Sequence, residues 1–179
     1  MRKIALTFGA LAGVIVAVFS FIIIGLCKNG KISFDNGDFI GYGSMVIALS
    51  MIFFGIKSYR DNFQNGAIKL GKGLQVGMLI TLVASLIYVL AGEAYYQIDP
   101  ETNTTMMDKY ADYHINKMRE KGASPETIAQ KSKELADMKE MYKNPLLRFG
   151  MTLALILPVG VIITLISAAV LRRKEFLPA

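Results

Sequence analysis

Residues 53–77 read FFGIKSYRDNFQNGAIKLGKGLQVG, a basic, glycine-punctuated stretch between two apolar runs. Gly66, Gly71 and Lys72 match the G-x-x-x-x-G-K spacing of a phosphate-binding loop. Such a loop follows a buried strand and needs Ser or Thr after its lysine to hold magnesium, whereas Gly73 follows Lys72 here and the stretch leaves an apolar run. A seam between two membrane helices accounts for more of the residues. Asn65-Gly66 makes the turn, Gly71 and Gly73 let backbones approach, and Lys57, Arg60, Lys69 and Lys72 stand where two helices would meet water. No nucleotide is expected.

The apolar runs on either side belong to a set of four. No side chain is charged between Lys3 and Lys28, between Asp38 and Lys57, between Lys72 and Glu93, or between Arg148 and Arg172. A hydrocarbon core needs about 20 apolar residues per helix, and a charge at its centre costs roughly 3 kcal/mol. The windows therefore predict an all-α polytopic membrane protein with transmembrane helices over about 4–26, 39–59, 71–96 and 146–171. Arg2 and Lys3 before the first run invite a signal-peptide reading. That run is too long for one and no A-x-A-like site closes it, so the helix is expected to stay in the mature protein. Leu26 is also too large to precede a lipidated Cys27.

Cys27 is the only cysteine and His114 the only histidine, which excludes an intramolecular disulfide, the usual zinc sites and bis-histidine haem. No cofactor, metal or catalytic constellation is expected. The net charge of +6 is a topology signal once it is placed. With four spans the termini share a side, which carries Arg2, Lys3, Lys57, Arg60, Lys69, Lys72, Arg172, Arg173 and Lys174 against Asp61 and Glu175. The rest of the chain is close to neutral. Basic residues favour the cytoplasmic face, so both termini are expected there, and no nucleic-acid surface stands outside the membrane.

Between spans 3 and 4 the chain turns polar. Met107, Tyr110, His114 and Met118 recur at helical spacing, as do Ile128, Leu135, Met138 and Tyr142 after a Gly122-Ala123-Ser124-Pro125 break. This predicts an extracytoplasmic helical hairpin over 101–143, either standing clear of the bilayer or lying along it. KNGKISFDNGD, residues 28–38, carries Asn-Gly twice and reads as a turn-rich connection.

Small residues mark packing faces: Gly9, Gly13 and Ala17 on the first span, Gly41, Gly43 and Ala48 on the second, and Gly73 and Gly77 on the third. Pro158, a further packing candidate, removes a backbone hydrogen bond in the fourth and is expected to bend it. Ser50, Thr81, Ser85, Thr164 and Ser167 are candidates for hydrogen bonds between helices. Glu93 is the one acid attached to an apolar run. It is read first as an interfacial anchor and second as a substrate or proton site, with no ionisable partner at midplane. A third reading, lipid-modifying acid-base chemistry, would pair Glu93 with Tyr95 or Lys109.

The strings FFGIKSYRDN, NGAIKLGKGLQVGMLITLVASLIYVL and KEMYKNPL, the last ahead of a proline-bearing final helix, resemble the bacterial membrane family called domain of unknown function 4199. The resemblance spans essentially the whole chain and implies a small four-span protein of the bacterial inner membrane, with no catalytic or binding residue carried over. The expected function is non-enzymatic: an accessory or scaffold protein whose partners are the lipid bilayer and either its own copies or another membrane protein. The alternative is a small permease or channel subunit that oligomerises, with Pro158 and Glu93 near its pathway.

Overall fold

The computed structural model describes residues 1–172, so Arg173, Lys174 and Glu175 of the charge argument lie outside the described residues. Seven helices follow in order: α1 (Arg2–Lys28), α2 (Phe34–Leu49), α3 (Met51–Phe63), α4 (Leu70–Ile98), α5 (Pro100–Glu120), α6 (Pro125–Lys143) and α7 (Pro145–Leu171). No β-strand occurs among the described residues. Among the described residues four segments are long and apolar enough to cross a membrane: α1, the 30 residues of α2 and α3 together, α4 and α7. The first three run past their expected bounds at both ends, the fourth only by one residue at its start. Thirty helical residues at 1.5 Å rise would reach about 45 Å, more than the roughly 30 Å of hydrocarbon a span must cross.

The second segment departs most from expectation. Its helix begins at Phe34, where the Ser33 hydroxyl accepts from the Asn36 N–H, so Asn36-Gly37 lies inside a helix and makes no turn. Gly37 is there for proximity: a Cβ on it would lie 2.8 Å from Cys27 Sγ. Asn29-Gly30 does turn, with Gly30 at φ +66°. A break at Ser50 then separates α2 from α3. The Ser50 hydroxyl donates to Ile47 O at 2.6 Å, within its own segment and not to a neighbouring helix.

The core forms around α4, which packs against α1, α3 and α7. Ile52 and Ile56 of α3, Val76, Ile80 and Ala84 of α4, and Ile156 of α7 are fully buried. Close backbone approach makes this possible. A Cβ on Gly9 would lie 2.6 Å from Val83 Cβ, and one on Gly13 would lie 2.7 Å from Ala84 O. On the other face of α4, a Cβ on Gly73 would lie 3.1 Å from Ala168 Cβ and one on Gly77 would lie 2.5 Å from Thr164 Cγ2. A Cβ on Gly41, Gly43 or Gly71 would point into open space, so the packing role assigned to them is corrected. The opposite faces carry Leu6, Leu11 and Val18, then Leu82, Leu86 and Leu90, then Ile162, Leu165 and Ile166, all exposed. Such apolar belts are stable in hydrocarbon and not in water.

The 53–77 stretch is the seam. α3 ends at Phe63, Asn65 and Gly66 take φ of 48° and 80°, and Ile68 inserts into the core before α4 begins. At the other end of the bundle, α5 and α6 connect α4 to α7. Ser124 caps α6 by accepting from Thr127 N, after Gly122 turns the chain at φ +72°. Lys139 bonds Asp108, linking α6 to α5.

Candidate functional site

The polar heart of the protein lies where α4, α6 and α7 meet. Arg148, in the first turns of α7, is 4% exposed, an unusual depth for a guanidinium. Its Nε donates to Glu93 Oε2 at 2.8 Å, and its Nη2 donates to Oε1 and Oε2 at 2.7 and 2.6 Å. Nη1 donates to the Tyr142 carbonyl at 2.8 Å. The Tyr96 ring covers the guanidinium face at 3.6 Å, and Tyr142 closes the side at 5.8 Å. Gln97 donates a further bond to Glu93 Oε1.

This bidentate geometry holds three helices together. Glu93 comes from α4, the Tyr142 carbonyl from the end of α6 and Arg148 from α7, which Asn144 starts by accepting from Leu146 N and Leu147 N. A buried guanidinium needs both a counter-charge and acceptors for its fork of N–H groups, and here it has both. Burial pushes the Tyr142 phenol above its ordinary range, so it stays a neutral wall.

Glu93 therefore has a strong ionic partner that sequence reasoning missed. The signal was present: Glu93 sits just inside the end of one apolar run and Arg148 just inside the start of the next. Antiparallel helices joined at that end bring such positions to one depth. The other pairing considered for Glu93 is corrected. Tyr95 stacks on Phe21 at 4.9 Å, and Lys109 lines a separate cleft with Lys28 and Asp99.

Deeper in the bundle, Thr81 and Thr164 share a hydrogen bond at 3.1 Å between α4 and α7. Thr81 Oγ1 also lies 3.0 Å from Gly77 O and 3.4 Å from Gly160 O. Ser85 is buried with its hydroxyl unpartnered among the described residues. Pro158 lies on the exposed face of α7, which corrects its expected packing role, and the helix continues through it.

A second polar region ties α5 to the bundle. Lys28 donates to Thr102 at 2.7 Å and lies 3.7 Å from Asp99, while Lys117 and Tyr113 both bond Asp35. Phe34 packs against Tyr110 and Tyr113, and His114 lies 4.2 Å from the Tyr110 ring. Contacts running from Thr102 to Lys117 lay α5 across the ends of α1 and α2. Among the described residues no three His, Cys, Asp or Glu gather as a metal would require.

Fold and site together define an all-helical bundle with four helices of membrane-spanning dimensions, clasped at one end by an internal ion pair. The family described as "Protein of unknown function (DUF4199)" matches residues 7–173, and the chain belongs to it. Neither a curated protein nor a solved structure matches the chain.

Proposed function

We propose that the protein is a non-enzymatic accessory or scaffold protein of the bacterial inner membrane. In this reading both termini are cytoplasmic, and α5 and α6 form an extracytoplasmic hairpin available to a second membrane protein or another copy. The observation that carries it is the state of Arg148 and Glu93: each is bonded to the other and to neighbouring groups, so the charges hold helices together. Support for the orientation comes from Arg2, Lys3, Lys57, Arg60, Lys69 and Lys72, which share the end opposite α5 and α6.

Crosslinking through a photoreactive group placed on exposed Met141, followed by capture in mild detergent, tests the role. A defined membrane protein or a second copy is the expected product. Background alone, with full complementation by a chain lacking 101–143, would end the proposal. Ser124→Cys in a Cys27→Ser background tests the orientation. An impermeant maleimide is expected to label it in intact cells, and labelling only after lysis would invert the topology. The permease alternative requires a path between copies, because Pro158 faces away from the bundle and Gly160 packs directly on Thr81.

A further inference from the structure

Between α1 and α3, at the end of the bundle away from α5 and α6, lies an open groove of about 570 Å³. Its inner wall is apolar, built from Phe8, Met51 and Phe54. Its mouth is polar, built from Lys57, Ser58 and Asn62 with Asp61. Phe54, Ser58 and Asn62 succeed one another at four-residue spacing, so one face of α3 passes from hydrocarbon character to headgroup character within about two turns. Lys57 is the first charge on α3 after the long uncharged window, which places it at the bilayer edge.

The donors at the mouth are poised for an anion. Asn62 Nδ2 donates to Ser58 Oγ at 3.2 Å, which leaves the Ser58 proton free to donate elsewhere. Asp61 is engaged by Arg60 Nε at 2.7 Å. Lys57 is exposed and makes no ion pair or hydrogen bond among the described residues. The groove thus presents an ammonium and a hydroxyl above an aromatic slot, at an end where Arg2, Lys3, Lys69 and Lys72 add positive potential.

We propose that this groove binds one anionic phospholipid, its phosphodiester on Lys57 and Ser58 and an acyl chain against Phe8, Met51 and Phe54. Charge complementarity selects the headgroup, and the apolar wall separates a lipid from free phosphate.

The chain has no tryptophan, so Phe54→Trp installs a lone fluorescent reporter in the groove. The full chain is placed in vesicles of brominated phosphatidylglycerol mixed with unlabelled phosphatidylcholine, and the reverse labelling gives the relative affinity. The reporter is expected to favour phosphatidylglycerol about fivefold over its bulk fraction. Adding Lys57→Gln is expected to bring that ratio near one, and Lys69→Gln, at the same end outside the groove, is expected to leave it unchanged. A Leu165→Trp reporter on the lipid face of α7 should read near one throughout. No preference at residue 54, a preference that survives Lys57→Gln, an equal one at residue 165, or displacement by inorganic phosphate would each overturn the proposal. Circular dichroism of each variant confirms that the bundle is retained.

Discussion

Where α5 and α6 join the bundle, basic side chains meet carboxylates of the same chain: Arg148 on Glu93, Lys28 on Asp99, Lys117 on Asp35. At the opposite end Arg60 bonds Asp61, while Lys57 and Lys69 make no ion pair among the described residues. The same residue types thus serve two purposes. Internal pairs fix how helices sit against each other, whereas unpaired lysines are left for water and headgroups. The difference follows from composition, since the polar insert brings acids to one end and the 53–77 seam brings almost none to the other.

The largest expected effect comes from unbalancing the internal pairs. Glu93→Gln removes the counter-charge of a buried guanidinium and is expected to cost about 3 kcal/mol, the lower part of the range for a broken buried pair because Glu93 is partly exposed. Thermal unfolding in detergent measures it, and Glu93→Gln with Arg148→Met is expected to recover most of the loss. An equal loss in the double variant would show that packing, and not charge, dominates this junction. Lys57→Gln at the other end is expected to leave stability unchanged.

Next come the helix contacts between the two ends. Gly77→Val drives a side chain into Thr164 and is expected to cost roughly 1–3 kcal/mol, while Gly41→Ala stays within about 0.5 kcal/mol of the parent. Equal melting temperatures for the two would refute the close α4–α7 approach. Thr81→Val keeps the shape but loses the bonds to Thr164 and Gly160, for an expected cost of about 1 kcal/mol.

The smallest effect is titration at the junction of α4 and α5. Hydrogen bonds from the Thr102 hydroxyl and backbone N–H hold the Asp99 carboxyl below its ordinary 3.8. A group with a lowered folded pKa gives its full stabilisation above the unfolded value and loses it as pH falls through the folded one. The protection of the Thr102 amide, its exchange rate measured against the intrinsic rate at each pH, should therefore fall on acidification below the usual carboxylate range. In Asp99→Asn that acid-dependent step should disappear.

Much of the fold was legible because hydrocarbon imposes a one-dimensional rule: an uncharged run of the right length becomes a span whatever its neighbours do. Gly9, Gly13, Gly73 and Gly77 also follow a local pattern, and all four lie at close helix contacts. Gly41 and Gly43 show the limit, since a small residue on a helix can face lipid as readily as a partner. Asn36-Gly37 misleads as a turn signal because tertiary contact with Cys27 determines its use. The clasp was least legible. Glu93 and Arg148 are 55 positions apart, and their pairing depends on two helices ending at one depth, which only the assembled bundle specifies.

That separation also sets an order of events during biosynthesis. Glu93 is made first, and the whole insert is translated before Arg148 exists to meet it. At 5–20 residues per second the ribosome takes roughly 3–11 s to cover the interval. Through that time α1 and α4 can already be docked, while the final helix must be threaded last and seated as its charge finds the waiting acid. A nascent chain stalled before Arg148 leaves Glu93 without its guanidinium partner.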